Sequence, residues 1–478
     1  MLNHRILHLV RFPPILLFAG LIVVVNAFYL WGHELDDALI YARFLQNLLE
    51  GKGYVYNPGE YVNGLTSPLF GYLSILPSWM LGDARDGVML VSVLATLTSL
   101  IAFYAVLRLL IPSISLAAFS AVLSAMASIT YLNLGMEASL FTTWVAVSFY
   151  CYLRDKPHLL GFAIAFSILS RPEGVFLVPA MAIDTLISQR RWPPISCYWL
   201  PGGLIIAQSL FNVFYYDALL PSSGLAKLSQ GESGFWGDNN FLLTLVGLFR
   251  FGITHAGSWS VMAVLIVVSL FSLKVTSAHS YLRVSSLFLV MYSAFFALLN
   301  LPAQAWYYAI YYSIFWTYVA LGLYWLADRY LTGRNRIKRI AFTVFVISGL
   351  SLQEPRLLAE LGKPAREDYK EIGLWLAENT EQDASIAVVE IGTIGWYSQR
   401  RIIDILGLVT DEVADFVAEG DFVSWLLLYP PDFMMVHDPV WQFESALEQS
   451  PSVLGGSFNE VPDFHFPGFR LYAFNPQG

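Results

Sequence analysis

Apolar runs long enough to cross a lipid bilayer recur along this chain from its N-terminus to about residue 353. A membrane-spanning helix needs about 20 predominantly apolar residues. Only 13 % of the 478 residues are charged, whereas a soluble domain carries about 25 %. The chain is therefore predicted to be a polytopic α-helical membrane protein rather than a soluble one.

The composition changes after residue 353. Charged residues return and no apolar run reaches spanning length. We therefore predict a membrane domain over residues 1–353 and a soluble α/β domain over residues 354–478, which is close to the usual domain size. The pattern of apolar residues in the second domain predicts a helix over residues 366–380 and four strands, in the segments SIAVVEIG, RRIIDILGL, PDFMMVHD and FRLYAFN.

Arginine and lysine residues indicate the orientation of the spans, because cytoplasmic loops carry an excess of both. They are densest between residues 334 and 339. Placing them inside gives about eleven spans, a cytoplasmic N-terminus and an extracytoplasmic C-terminal domain. Two more apolar segments, 68–82 and 241–252, would reverse this topology if they crossed, so they are predicted to be re-entrant or interfacial. The predicted spans are 14–32, 86–108, 113–132, 137–153, 158–170, 174–189, 196–215, 257–274, 281–299, 305–327 and 340–353.

The first outer loop, residues 33–85, is long and charged, and Asp36 and Asp37 stand side by side just after the first span. Neighbouring carboxylates near lipid repel each other, and burial raises the pKa of at least one of them. Such a pair suits a general base or a cation site. The alternative is a plain helix N-terminus, where aspartates stabilise the helix dipole. We predict that Asp36 or Asp37 is catalytic.

Three cations on the outer face are candidates to bind a phosphate: Arg43, Arg171 and Lys227. Arginine offers a bidentate fork to a phosphate, and lysine offers a point charge. The alternative for Arg43 is an ion pair with the aspartates of its own loop. The alternative for Lys227 is a side chain that extends toward the lipid headgroups.

Other polar and aromatic residues are predicted to lie on the same outer face and to line a substrate cavity there. Carboxylates at membrane depth are costly and usually functional. The alternatives are turn structure for the loop residues, helix capping for the glutamates, and interfacial anchoring for the aromatic residues. The predicted cavity residues are Tyr41, Glu60, Asn63, Ser67, Glu137, Glu173, Trp306 and Tyr307.

Several mechanisms have no support in the sequence. There is no phosphate-binding loop, H-E-x-x-H motif or G-x-S-x-G motif, which argues against ATP-driven transport and zinc proteolysis. Cys151 and Cys197 form neither a disulfide framework nor a metal-ligand pattern. The net charge of −9 and the absence of a basic patch argue against nucleic acid. We predict no metal site and no required cofactor, with a divalent metal optional.

The first outer loop also carries a motif. Its text, DDALIYARFLQNLLEGKGYVYNPGEYVNGLTSP, resembles the D-D-A-x-I … N-L-x-x-G-x-G … N-P-G-E-x-V-x-G-x-T-S-P pattern of the GT-C superfamily of integral-membrane glycosyltransferases. Within that superfamily it is most similar to the terminal β-arabinofuranosyltransferase group of mycobacteria. Weaker steps of the same pattern follow at residues 135–137, 170–174, 215–227, 391–397 and 403–408.

The resemblance implies an enzyme that moves a sugar from a polyprenyl-phosphate donor to an acceptor hydroxyl, with inversion and a carboxylate base. Arabinose, another pentose or a hexose would fit, and the acceptor would be a glycan, a lipid or a protein, most simply a cell-envelope glycan. It further implies a multi-pass location in the bacterial inner membrane. We expect the C-terminal domain to cap the cavity or to bind a glycan acceptor. The alternatives are a flippase for a lipid-linked sugar and a non-catalytic membrane scaffold.

Overall fold

The fold is given by a computed structural model. It describes residues 13–32, 35–125, 133–190, 192, 194, 197–234, 241–245, 256–331, 333, 337, 367–410 and 412–476. The membrane half is helical throughout this described part. Its helices are α1 (Pro14–Tyr29), α2 (Asp36–Leu49), α3 (Pro68–Leu81), α4 (Ala84–Leu110), α5 (Ile114–Ala125), α6 (Ala138–Leu153), α7 (Pro157–Ser170), α8 (Leu177–Gln189), α9 (Trp199–Tyr216), α10 (Ser222–Glu232), α11 (Ala256–Leu270), α12 (His279–Leu298) and α13 (Ala309–Tyr330).

Among the described residues, three helical segments are long and apolar enough to cross a bilayer: Ala84–Leu110, Thr276–Leu298 and Ala305–Tyr330. The last two include short 3₁₀ turns before α12 and α13. Several other apolar helices, α1, α3, α5, α6 and α7 among them, are shorter than 18 residues. The structure therefore confirms an apolar helical bundle, while the number of eleven spans stays a prediction.

Helices occupy the predicted spans that fall within the described residues. The last predicted span, 340–353, lies outside them, as does most of the predicted interfacial segment 241–252. The apolar segment in the last part of the first outer loop forms α3, in which Ser67 caps the N-terminus by accepting a hydrogen bond from the backbone N–H of Phe70. Gly82 ends α3 in the left-handed conformation that glycine adopts without strain.

The C-terminal part contains a five-stranded sheet with the strand order β2-β1-β3-β5-β4. Strands β1, β2 and β3 are parallel, whereas β5 pairs antiparallel with both β3 and β4. Its elements are α14 (Glu367–Asn379), β1 (Ser385–Val388), α15 (Ile391–Ser398), β2 (Arg401–Asp404), α16 (Val413–Ala418), α17 (Trp425–Leu428), β3 (Phe433–His437), α18 (Ala446–Leu454), β4 (Gly456–Glu460) and β5 (Phe469–Pro476).

The predicted helix and four strands of this part are each found, with one change of extent and one omission. The strand predicted in SIAVVEIG ends at Val388, because α15 begins at Ile391. Strand β4, in the segment GSFNE, was not predicted. Gly456 and Asn459 are poor strand formers, and this edge strand is only partly buried.

The first outer loop and the C-terminal sheet share one hydrophobic core. Phe44 and Tyr56 of the loop pack in the same buried cluster as Ile391 and Ile394 of α15 and Ile386 of β1. Because a continuous apolar core resists separation, the C-terminal sheet is held against the outer loop. This contact brings residues more than 300 positions apart in sequence to one place, and it defines the surroundings of the predicted catalytic pair.

Candidate functional site

Asp36 is the first residue of α2, and its carboxylate binds the N-terminus of α15. It accepts hydrogen bonds from the backbone N–H groups of Gly392, at 3.0 Å, and Thr393, at 2.7 Å. Burial, and then the charge of neighbouring Asp37, raise the pKa of Asp36 to about 6. The Asp36 side chain is therefore committed to joining the outer loop to the C-terminal sheet.

Asp37 differs from its neighbour. No described residue donates a hydrogen bond to its carboxylate, which is only partly buried. Burial raises the pKa of Asp37, and the charge of Lys227 on α10 opposes that rise. Asp37 is thus a carboxylate with free lone pairs and a cation within electrostatic reach.

A buried ionic cluster brings together three of the predicted residues. Arg171 lies between two glutamates, 2.5 Å from Glu137 and 2.7 Å from Glu173. Its guanidinium also lies 4.8 Å above the ring centre of Tyr307, a favourable cation–π geometry. Both amino groups of Arg171 are therefore engaged, and only its Nε lacks a partner. The structure makes Arg171 part of an internal ion pair that is already neutralised.

Tyr41 and Trp306 lie at the border of this cluster. Tyr41 is within the electrostatic field of Glu137 and Arg171, and its hydroxyl accepts a hydrogen bond from the backbone N–H of Ser67. Trp306 is partly exposed and contacts the edge of Tyr307. Tyr41 and Trp306 thus lie beside the ionic cluster on the helical bundle, and the role of this group in a substrate cavity stays a prediction.

The prediction that Arg43 binds a phosphate is wrong. Its side chain is only 3 % exposed, and all three guanidinium nitrogens donate hydrogen bonds within the protein. The acceptors are the backbone oxygens of Tyr56, Gly395 and Arg400 and the side chain of Asn57. Four of its five guanidinium N–H groups donate these bonds, so Arg43 holds the outer loop against the C-terminal sheet. The predicted ion pair with the aspartates is not what holds it.

Three residues predicted to contact substrate hold the loop instead. Glu60 accepts a hydrogen bond at 2.6 Å from Arg401 of β2, and Asn63 donates to the side-chain oxygen of Asn212 on α9. Ser67 is fully buried and caps α3. These predictions are corrected, because each side chain is occupied by a partner within the protein.

Sequence reasoning missed the other half of this loop–sheet contact. Tyr56 donates its hydroxyl to the backbone oxygen of Ile391, and Asn57 both donates to and accepts from the backbone of Ile402. Ser222, at the start of α10, donates to the backbone oxygen of Leu408. The signal was the weak motif over residues 391–397 and 403–408, whose segments lie on the contact.

A glycine at this contact gives a direct test of its tightness. A methyl group added at Gly392 would overlap the backbone oxygen of Asp36. We expect Gly392→Ala to destabilise the chain by about 1–3 kcal/mol, as overpacking does, and to lower its melting temperature. Gly202→Ala is the matched control, since nothing lies within 4 Å of the added atom. Equal melting temperatures for the two variants would contradict the contact.

The described residues contain no group of three or more histidine, cysteine, aspartate or glutamate side chains arranged to hold a metal ion. The carboxylates of the site lie instead in two settings. Asp36 binds backbone amides, and Glu137 and Glu173 pair with an arginine. Glu137 and Glu173 each keep one buried carboxylate oxygen without a partner, whereas the carboxylate of Asp37 receives no hydrogen bond from a described residue.

Comparison with known proteins agrees with the predicted resemblance. Residues 359–472 match a domain of unknown function (DUF8728). A stretch of 222 residues is 30 % identical to the terminal β-(1→2)-arabinofuranosyltransferase of Mycobacterium tuberculosis, and it covers 41 % of this chain and 35 % of that protein. The match thus spans about a third of the length of this curated relative.

Solved structures share the fold. ArnT from Cupriavidus metallidurans, bound to undecaprenyl phosphate, superposes with a TM-score of 0.58 at 13 % identity, covering 95 % of this chain and 97 % of ArnT. The mycobacterial arabinofuranosyltransferase AftD superposes with a TM-score of 0.51 at 13 % identity, covering 97 % of this chain and 40 % of AftD. These comparisons agree with the resemblance predicted from the first outer loop: part of the chain is similar in sequence to a terminal arabinofuranosyltransferase, and the chain shares the fold of ArnT and AftD.

Proposed function

We propose that this chain is a glycosyltransferase that moves a sugar, arabinofuranose or another pentose or hexose, from a polyprenyl-phosphate donor to an acceptor hydroxyl. The proposal rests on one observation: the two neighbouring aspartates differ in their hydrogen-bond partners. The carboxylate of Asp36 already accepts hydrogen bonds from two backbone amides. The carboxylate of Asp37 receives no hydrogen bond from a described residue and interacts electrostatically with Lys227. A general base needs such a free carboxylate beside the reacting atoms.

The reaction is a single displacement. Asp37 takes the proton of the acceptor hydroxyl, and the acceptor oxygen forms a bond to the anomeric carbon of the donor sugar. The bond from that carbon to the phosphate oxygen breaks, and polyprenyl phosphate leaves with the electron pair. One displacement inverts the anomeric configuration. The positive charge of Lys227 stabilises the negative charge that develops on the departing phosphate.

The lipid part of the donor needs an apolar binding surface. An apolar groove of about 550 Å³ lies between α3, α4 and α6, with Leu73, Val91, Leu140 and Trp144 among its lining residues. A groove of this kind suits a polyprenyl chain that reaches the site from the bilayer. Undecaprenyl phosphate is the molecule bound to the structurally similar ArnT, which supports the same donor class here.

The topology belongs to the same proposal. We infer about eleven spans with a cytoplasmic N-terminus, and an outer face that carries the first loop, the ionic cluster around Arg171 and the C-terminal sheet. The membrane would be the inner membrane of a bacterium, and the acceptor would then be a glycan of the cell envelope. Cysteine accessibility measured from each side of the membrane, at residues introduced in the first loop, tests this orientation. Labelling from the cytoplasmic side would contradict it.

The proposed role of Lys227 predicts a loss of donor use. Lys227→Met keeps the length of the side chain and removes its charge, so we expect kcat/KM for the donor to fall by about 10²-fold or more. Lys52→Met is the matched control, because Lys52 pairs with Glu50 at the surface of the first outer loop. Steady-state kinetics with a polyprenyl-phosphoryl sugar measure both variants. Equal kinetics would remove Lys227 from the mechanism.

Analysis of cell-envelope glycans in a strain that lacks the protein would identify the sugar and the acceptor. We expect one sugar residue to disappear from a defined position and to return when the wild-type gene is restored, but not when it carries Asp37→Asn. Glycans that are unchanged in the deletion strain would contradict the proposed function. Return of the sugar with the Asp37 variant would contradict the assigned base.

A further inference from the structure

The carboxyl ends of the three parallel strands carry chemistry that the proposed mechanism does not use. Glu390 follows β1, Asp404 ends β2 and His437 ends β3. In open sheets of this kind, ligands bind outside the carboxyl ends of the parallel strands. This edge lies against the first outer loop, because Asp36 binds the amides of Gly392 and Thr393 just after Glu390.

The edge bears an aromatic ring that is both rigid and open to solvent. Trp441 is 41 % exposed, yet its ring stacks in parallel on His437 with 3.3 Å between ring centres and 9° between planes. The backbone N–H of Trp441 also donates to Glu444 at 2.8 Å. The indole is therefore fixed in place while part of its surface stays uncovered.

His437 is itself held from both sides, which keeps the stacked pair in one orientation. Its Nδ1 lies 2.7 Å from Glu444, and its Nε2 lies 3.3 Å from Glu390. Burial opposes the charged imidazole, but the two neighbouring glutamates outweigh burial and raise the pKa of His437 to about 9. A cation beneath the indole adds a favourable electrostatic contact.

A pair of planar charged groups lies at the same end of β3. Asp438 follows His437 directly, and Arg470 on the neighbouring strand β5 binds Asp438 at 2.9 Å. Both side chains are close to half exposed. Carboxylate and guanidinium groups form paired hydrogen bonds to a ligand, and an exposed tryptophan supplies a large apolar face at a small cost in conformational entropy.

We propose that this edge of the sheet is a carbohydrate subsite for the acceptor, in which a sugar ring stacks on Trp441 and its hydroxyls bond to Asp438 and Arg470. A sugar ring combines an apolar C–H face with a rim of hydroxyls, which matches an exposed indole and a charged pair at the same strand end. The inference rests on the proposed function, since it places the acceptor chain beside the outer loop that carries Asp37. The C-terminal sheet would then bind and recognise the acceptor.

The test measures binding apart from transfer. The full chain carrying Asp37→Asn is titrated with arabinan and mannan oligosaccharides as probes, with Trp441 intact or replaced. We expect Trp441→Ala to weaken binding of at least one probe by about tenfold or more. Trp441→Phe keeps an aromatic face and should retain most of the affinity. Asp438→Asn, at an exposed position, should weaken binding without threatening the fold.

Each alternative gives a distinct result. Binding that is equal in all variants, or absent for both oligosaccharides, would overturn the subsite. A lipid-anchoring tryptophan would be quenched by brominated lipids in nanodiscs, seen as the difference between wild type and Trp441→Phe, and that result would overturn it too. Transfer that does not depend on Asp37 would count against the proposed function instead. Oligosaccharide binding that depends on Trp441 would be unaffected by that result.

Discussion

Replacing Asp37 with asparagine is expected to lower kcat by about 10²–10⁴-fold, the usual contribution of a positioned general base, without lowering the melting temperature. The asparagine side chain has the same size but cannot accept the proton of the acceptor hydroxyl. Asp37 makes no hydrogen bond with any residue in the described part of the chain, so its replacement breaks no hydrogen bond there. A lower kcat with an unchanged melting temperature would therefore identify Asp37 as a catalytic residue rather than a structural one.

Asp36→Asn is the matched control for this experiment. The same substitution one residue earlier leaves Asp37 in place but weakens the two amide hydrogen bonds at the start of α15. We expect it to lower the melting temperature and to leave measurable transfer. A variant pair with the opposite pattern, in which Asp36→Asn is inactive and Asp37→Asn is active, would reverse the assignment.

The pH dependence follows from the same assignment. A base must be deprotonated, and burial raises the pKa of Asp37 above the ordinary value of about 3.9. Activity is therefore expected to fall as the pH is lowered through this raised pKa, so the acid limb of kcat/KM lies at a higher pH than for an exposed aspartate. An acid limb at the ordinary aspartate value would contradict a buried base.

Arg43→Ala is expected to cause the largest loss of stability of any single change at the loop–sheet contact. The substitution removes the four hydrogen bonds of a buried guanidinium, although the backbone oxygen of Tyr56 keeps a hydrogen bond from Asn47 and that of Gly395 keeps one from the backbone N–H of Gln399. A hydrogen bond to a charged group contributes about 1.5–3 kcal/mol, so we expect a loss of at least about 3 kcal/mol. A shift of the melting temperature by about 5 °C or more would accompany it.

A second arginine at the same contact provides the control. Arg401 pairs with Glu60, but its side chain is 40 % exposed, and exposed ion pairs contribute about 0–1 kcal/mol. Arg401→Ala should therefore change the melting temperature little. Thermal unfolding in detergent, followed by intrinsic fluorescence, compares the two. Similar small shifts for Arg43→Ala and Arg401→Ala would show that Arg43 is not an anchor.

Much of the site could be predicted from local sequence. The charges that indicate topology place Glu137, Arg171 and Glu173 on one face, and the structure brings these three into one cluster. The adjacent aspartates and the lone lysine at position 227 were likewise visible as an outer-face group, and Asp37 and Lys227 interact electrostatically. These features depend on hydrophobic periodicity and charge, which are properties of short segments.

The roles of Asp36 and Arg43 could not be predicted, because the partners of Asp36 and two partners of Arg43 lie about 350 residues away in sequence. Nothing near Asp36 indicates that the amides of Gly392 and Thr393 will occupy its carboxylate. An arginine near two aspartates predicts a local ion pair or a ligand, whereas the folded chain gives Arg43 three distant or loop carbonyls. Tertiary packing decides such cases.

The most direct test of the mechanism is the transfer reaction with purified protein in nanodiscs. A synthetic polyprenyl-phosphoryl arabinofuranose is incubated with an oligosaccharide acceptor, and mass spectrometry and NMR report the product. The proposed mechanism predicts an acceptor longer by one sugar, with the anomeric configuration inverted relative to the donor, and no product with Asp37→Asn. A product with retained configuration, or equal product from the Asp37 variant, would contradict it.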